Sequence, residues 1–166
     1  MSEKKPKARL FVDSDLGEGL TLSLSRDQGH YLVRVMRLGV GDTVAVFNGR
    51  DGEWDTAIRS AGRNDVTLTC EIRTRPQQPE PDVWLAFAPL KKTRIDFVVE
   101  KATELGVARL LPVFTERTAV TRVNLERLTA QAIEAAEQCE RLSVPEIAEP
   151  AFLRDLLEGW PADRRL

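Results

Sequence analysis

Val83-Trp-Leu-Ala-Phe-Ala-Pro-Leu-Lys-Lys-Thr-Arg-Ile-Asp-Phe-Val-Val-Glu-Lys-Ala-Thr-Glu-Leu-Gly-Val-Ala-Arg-Leu-Leu-Pro-Val-Phe114 changes its hydrophobic period twice. Val83 to Ala88 is a short continuous apolar run, the pattern of a strand buried on both faces. Ile95, Val98, Val99, Ala102 and Leu105 then recur at helical spacing. Thr93 and Asp96 are placed to form a capping box, and Gly106 is placed to stop the helix. Arg109 to Phe114 reads as a second strand. Strand, helix and strand at this spacing predict a βαβ unit, with a parallel sheet and a right-handed connection.

Downstream, Asn124 is a good N-cap for a helix over Leu125 to Leu142. Leu125, Leu128, Ala132, Ala135, Ala136, Cys139 and Leu142 form its apolar stripe. Phe152 to Glu158 suits a last short helix, and the charged ending offers no further strand. Two clear strands and two long helices are few for a parallel sheet, which is normally covered on both faces. The expectation is therefore an incomplete α/β domain: either the chain is a fragment, or another copy completes the sheet.

Upstream, Arg75-Pro-Gln-Gln-Pro-Glu-Pro81 holds three prolines and no apolar residue, so it reads as a linker. Before it, Leu10–Val12, Leu20–Leu24, Thr43–Phe47, Trp54–Arg59 and Val66–Ile72 read as short strands. Asn48-Gly-Arg-Asp-Gly52 and Gly62 to Asp65 supply turns, the former a hairpin. A small β-barrel is expected over residues 1–75, followed by an α/β domain over 82–166. One helix interrupts the barrel. Ser25-Arg-Asp-Gln28 has the form of a capping box, so the helix starts there and runs to about Leu38, with Gly39 ending it.

Composition bounds the function. The chain has 166 residues, 42% hydrophobic and 30% charged, with a formal net charge of −2. No apolar run approaches the roughly 20 residues of a membrane span. No segment has the form of a secretory signal, so Met1 to Lys7 reads as a basic tail and the expected location is cytoplasmic. A net negative chain does not hold nucleic acid by overall basicity, so any such contact must come from local patches. The two cysteines, Cys70 and Cys139, are far apart, lack metal-ligand spacing, and read as buried thiols. No metal site, phosphate loop or dinucleotide fingerprint stands out.

Four places carry candidate chemistry. On the first helix at about 100° per residue, His30, Arg34 and Arg37 fall within roughly 60° of one another, opposite Leu32, Val35 and Met36. Such a face either binds phosphate or pairs with Asp27 or Asp42. Lys91, Lys92 and Arg94 sit at a helix N-terminus, where cations oppose the helix dipole. They bind an anion there or merely aid solubility. Glu116-Arg117 follows a strand at its carboxyl end, where open α/β sheets bind ligands. The alternative for Arg117 is a surface ion pair with Glu126 or Glu100. On the last long helix, Glu134, Gln138 and Arg141 share a polar face.

Glu100-Lys-Ala-Thr-Glu-Leu-Gly-Val107, Leu111-Pro-Val-Phe-Thr-Glu-Arg117 and Ala135-Ala-Glu-Gln-Cys-Glu-Arg141, in that order, resemble the RsmE family. These are methyltransferases of the SPOUT superfamily that modify N3 of a uridine in small-subunit ribosomal RNA. The match His30-x3-Arg34-x2-Arg37-x-Gly39-x-Gly41-Asp42 extends the resemblance into the barrel. It implies an α+β two-domain fold: a PUA-like β-barrel followed by the N-terminal part of a knotted SPOUT α/β domain. S-adenosylmethionine is the implied cofactor, homodimerisation the implied assembly, and ribosomal RNA or the small subunit the implied partner.

The resemblance makes Arg9, His30, Arg34, Arg37, Lys91, Lys92 and Arg94 candidates for RNA binding. It makes Glu116 and Arg117 candidates for catalysis, and Gln138 and Arg141 candidates for interface or active-site support. Glu140 stands where the family usually has glycine. The family's donor-binding stretches, Gly-Pro-Glu-Gly-Gly and Leu-Arg-Thr-Glu-Thr, do not occur here. No cofactor-binding residue is therefore expected in this chain, which alone is expected to be inactive. The other reading is a non-catalytic RNA-binding module.

Overall fold

The computed structural model describes residues 5–62, 65–118, 120 and 122–165, with only the backbone of Lys92 and Thr93. Met1 to Lys4, the middle of the expected turn after Gly62, and the Lys92 and Thr93 side chains lie outside it. The chain forms two compact units, residues 1–79 and 80–166.

In the first unit, strands β1 (Arg9–Phe11), β2 (Thr21–Ser23), β3 (Thr43–Phe47), β4 (Glu53–Ala61) and β5 (Val66–Arg75) make one sheet of order β1-β3-β4-β5-β2. β1 lies parallel to β3, and the other neighbours are antiparallel. Register shifts at Glu53/Trp54, Asp55/Thr56 and Ile58/Ser60 curl the long β4–β5 ribbon, because each extra residue bends the strand and adds twist. The result is a half-barrel. Its interior is apolar, with Leu32, Val44, Val46, Ile58 and Leu68 fully buried.

The β3–β4 hairpin turn is the sequence's Asn48–Gly52, and it is a hydrogen-bonded knot. The buried Asn48 accepts from the N–H groups of Arg50 and Asp51, and it donates to Ser14 O and Asp51 Oδ2. Asp51 Oδ2 also accepts from Leu16 N–H at 3.0 Å. These two donors hold the Asp51 carboxyl below the usual carboxylate range, the Leu16 N–H contributing most. Gly52 has φ 82, and a Cβ there would lie 2.1 Å from Arg75 O, so only glycine fits.

Helix α1 (Arg26–His30) starts at Ser25 with both halves of the capping box formed, as the sequence indicated. Gln28 Nε2 also donates to Phe11 O at 2.7 Å, tying the helix to β1. The helix does not continue in α form to Leu38. Tyr31–Val35 is a π-helical turn, with Met36 N–H bonded to Tyr31 O and Leu38 N–H to Leu32 O. Arg37 then adopts φ 56. The 100° spacing fails across this turn. Leu32 is buried and Met36 packs on the core, but Val35, expected beside them, is 60% exposed.

In the second unit, β6 (Trp84–Phe87), α2 (Lys92–Glu104) and β7 (Arg109–Phe114) form the expected parallel βαβ unit, with Trp84 opposite Arg109. α2 begins after Lys91, not at a Thr93–Asp96 box. Asp96 is spent elsewhere: its carboxylate takes Arg127 Nη1 at 2.5 and 2.7 Å, joining α2 to α3 (Leu125–Gln138). Asn124 caps α3 by accepting from Arg127 N–H.

α3 stops at Gln138, short of Leu142, because Glu140 enters the left-handed region at φ 61. Cys139 is consequently exposed, while Cys70 is buried in the half-barrel and burial pushes its thiol up. The expectation of two buried thiols is corrected for Cys139.

The sheet also gains strands that the sequence pattern did not reveal. β8 (Glu146–Ile147) pairs parallel with the first half of β7, and β9 (Ala151–Phe152) with its second half. Each is two residues long, too short for a periodic signal. Together they act as one broken edge strand. On one face, Leu85, Phe87 and Leu110 pack with Ile95, Val99, Leu128 and Ala132 of α2 and α3. On the other, Trp160, which follows helix α4 (Leu153–Glu158), meets Trp84 edge-on, and Arg164 stacks over Trp84 and binds Asp82.

Candidate functional site

The strand end predicted to carry chemistry opens into a cleft. β7 leaves the sheet at Phe114, and Thr115 to Thr118 form a tight turn. Thr118 N–H donates to Thr115 O, while Thr118 Oγ1 accepts from Thr115 N–H at 2.8 Å. The turn holds Glu116 and Arg117 at its apex, both exposed. Neither side chain has an ion pair or hydrogen bond with another described residue, so the expected alternative partners Glu100 and Glu126 do not hold Arg117. Glu100 pairs instead with Lys101.

β9 and α4 supply the opposite wall. Phe114, Thr115, Glu116, Arg117, Phe152, Leu153, Arg154 and Leu157 line an open cleft of about 720 Å³. The Phe114 and Phe152 rings lie 6.2 Å apart. Phe152 remains 63% exposed. The cleft thus pairs an apolar wall with two arginines, chemistry suited to a flat ring whose edge carries carbonyl oxygens. Sequence reasoning missed Phe152, Leu153, Arg154 and Leu157. Their one local signal was apolar spacing in a short, otherwise charged segment.

His30, Arg34 and Arg37 are all exposed on the π-helical turn and the residues bounding it. None is paired with another described residue. Asp42, offered as a partner, instead binds Lys7 at 2.6 Å and accepts from Gly39 N–H. Among the described residues this group has no acidic partner, although Arg37 reaches it by a backbone reversal and not by helical spacing.

Arg9 differs: its guanidinium binds Glu53 at 2.6 Å, stacks 3.8 Å over Phe47, and its side chain is only 13% exposed. Lys91 and Arg94 are exposed at the start of α2; the Lys92 side chain lies outside the described residues.

Gln138 is exposed at the end of α3, but Arg141 does not share its polar face. The Arg141 side chain is 8% exposed and binds Glu80 at 2.6 Å. It also donates to the carbonyls of Thr103 and Val107 at 3.1 and 2.8 Å. Thr103 lies in the last turn of α2 and Val107 in the link to β7, so Arg141 staples the end of α2, the segment after α3 and the start of the unit. Among the described residues, no cluster of His, Cys, Asp or Glu is arranged to hold a metal ion. No helix among them is long and apolar enough to cross a membrane.

A family model described as an RNA methyltransferase domain matches residues 76–166. Another, described as an RNA methyltransferase PUA domain, matches residues 24–70. Over 151 residues the chain is 33% identical to the ribosomal RNA small subunit methyltransferase E of Rickettsia conorii. The chain belongs to the RNA methyltransferase family of the RsmE type. The match covers 90% of this chain and 62% of the Rickettsia protein. A Synechocystis protein of the same name is 34% identical over 152 residues, 90% of this chain and 50% of its own length. The chain thus spans about half to two thirds of these relatives.

The fold agrees. The ribosomal RNA small subunit methyltransferase E of Neisseria gonorrhoeae, bound to S-adenosyl methionine, superposes with a TM-score of 0.84 at 23% identity. That superposition covers 93% of this chain and 66% of the other. In the RsmE-type chain described here, no glycine among the described residues lines the cleft, and its apolar wall is open. A donor the size of S-adenosylmethionine needs closer backbone approach and more enclosure than these residues give. By themselves they do not fit it.

Proposed function

We propose that this chain serves S-adenosylmethionine-dependent methylation of a uridine at N3 in small-subunit ribosomal RNA. Its half-barrel, residues 1–75, docks the RNA. Residues 82–166 form the first part of a SPOUT-type α/β domain and one side of the base pocket. The donor pocket belongs to the region that the longer relatives have and this chain does not match. A homodimer acting in the cytoplasm completes the reading.

One observation carries it: a family match over both units, in a chain whose half-barrel bears His30, Arg34 and Arg37 with no acidic partner among the described residues. Phosphate oxygens are the natural counter-charge for such a group. Lys91 and Arg94 extend the basic surface of the α/β unit, and Lys92 belongs with them by sequence.

In the cleft, the apolar wall of Phe114 and Phe152 takes the face of a uracil, and Arg117 donates to a uracil oxygen. N3 methylation leaves negative charge on those oxygens as the proton departs, so a fixed donor there lowers the barrier. Glu116, beside it, orients the ring or accepts the N3 proton. Where turnover is measured, Arg117→Ala lowers it far more than RNA affinity, and equal losses in both would remove that role.

A second reading, an RNA-binding module without catalysis, is favoured by the openness of the cleft. Calorimetric titration of the 166-residue chain with S-adenosylmethionine separates the possibilities. No detectable heat is expected, with the chain still binding ribosomal RNA fragments in a salt-dependent way. Saturable one-to-one donor binding would overturn the placement of the donor pocket. Absence of RNA binding would overturn both readings.

A further inference from the structure

The π-helical turn exposes an aromatic ring in the middle of the basic group. Tyr31 is the first residue of the turn, directly after His30 and three residues before Arg34. It is 40% exposed. Its hydroxyl has no hydrogen-bond partner, and its ring no ring contact, among the described residues. The same π register turns Val35 outward, so an apolar strip formed by Tyr31 and Val35 lies among His30, Arg34 and Arg37.

A surface that only attracted phosphate would have no use for that strip. Duplex RNA presents phosphates and groove edges and keeps its base faces stacked inside, so against a duplex Tyr31 and Val35 would stay uncovered. An unpaired nucleotide covers both parts at once. Its phosphate meets the arginines, and its base lies on the tyrosine ring, as in other single-strand binding surfaces.

We infer that Tyr31 is a stacking platform for an unpaired base, so that this face of the half-barrel selects single-stranded RNA over duplex. The inference rests on the RNA-docking reading above and adds the substrate's state to it. Tyr31 acts here as a binding residue; the arginines supply affinity, and the ring supplies discrimination.

Tyr31 is the only tyrosine in the chain, so incorporation of 3-fluorotyrosine gives a single fluorine resonance from the proposed platform. The probes are a ten-nucleotide oligouridine and a ten-base-pair RNA duplex, each titrated at two salt concentrations. The resonance should shift and broaden with oligouridine and move little with the duplex. Tyr31→Leu should weaken oligouridine binding about tenfold and change duplex binding less than about twofold. Tyr31→Trp should restore oligouridine binding, which a merely structural role would not predict.

Equal weakening toward both RNAs, or no weakening toward either, overturns the inference. If Arg34→Ala weakens binding while Tyr31→Leu leaves it unchanged, the stacking role fails and RNA docking stands. If neither RNA binds, docking and stacking fail together.

Discussion

In the half-barrel, Val44, Val46, Phe47, Ile58 and Leu68 have no solvent exposure, and the central strands β3, β4 and β5 pair in sequence order. The α/β unit buries Val99, Leu110, Leu128 and Ala132 equally well on the α2–α3 side, yet leaves Phe152, Leu153 and Leu157 exposed around its cleft. The difference follows from sheet type. The antiparallel β3–β4–β5 meander satisfies its hydrogen bonds through short turns and tolerates a wet outer face, whereas a parallel sheet depends on cover from both sides. Here β7 is covered by helices on one face and only by α4 and the Trp160 segment on the other. Stability should therefore be concentrated in different devices: a hydrogen-bonded turn in the half-barrel, and one long side chain in the α/β unit.

Substitutions at those devices should separate the two units most sharply. Gly52→Ala places a Cβ against Arg75 O at a positive φ. It should cost the half-barrel about 3 kcal/mol or more. Urea unfolding followed at Trp54, with the other two tryptophans replaced by phenylalanine, should show the loss; an unshifted midpoint would mean that the turn is not rigid. Arg141→Ala should act on the other unit. It leaves Glu80 with only Ser143 Oγ and takes a donor from the Thr103 and Val107 carbonyls, for a loss of about 3 kcal/mol. Trp84 and Trp160 report there, and a loss seen equally at Trp54 would show that the two units unfold as one.

Acid should strike the half-barrel at Asp51. Its carboxyl is held below the usual value in the folded chain, so the stabilisation it gives is fully present above the unfolded value. That stabilisation is lost as pH falls through the folded one. Half-barrel stability should be level from about pH 6 to 5 at this group and decline below about pH 4; Asp51→Asn should flatten that decline. A decline of unchanged steepness in the variant would assign the acid sensitivity to other carboxylates. The smallest effect is expected at Glu140, which is held at φ 61. Glu140→Gly should stabilise the α/β unit by about 0.5 kcal/mol through relief of left-handed strain, partly offset by the freer unfolded chain. A lowered midpoint would show that the contacts of the Glu140 side chain outweigh the strain.

Much of the site was legible, but unevenly. Glu116 and Arg117 could be placed at a strand end beside the cleft because one strand's pattern suffices to locate its end. The opposite wall was not, because β9 owes its existence to pairing with Val113 and Phe114, nearly forty residues away along the chain. His30, Arg34 and Arg37 were grouped as one exposed face, and all three are exposed, but the spacing assumed for them was the wrong geometry. The π-helical turn that exposes Tyr31 leaves no mark on apolar spacing. Arg141 looked like a surface residue because its partners, Glu80 and the end of α2, are remote in sequence.

The sequence by itself determined the two-unit division, the five strands of the half-barrel, the parallel βαβ order, the caps at Ser25 and Asn124, and the family. Each depends on neighbours within a turn or two of the chain, or on blocks of residues carried together. Tertiary structure decided where α3 ends, how Asp96 and Arg141 are used, which short segments become β8 and β9, and what lines the cleft. Those outcomes are set by side chains and backbone groups competing for partners across long separations, where burial and hydrogen bonding outweigh local preference.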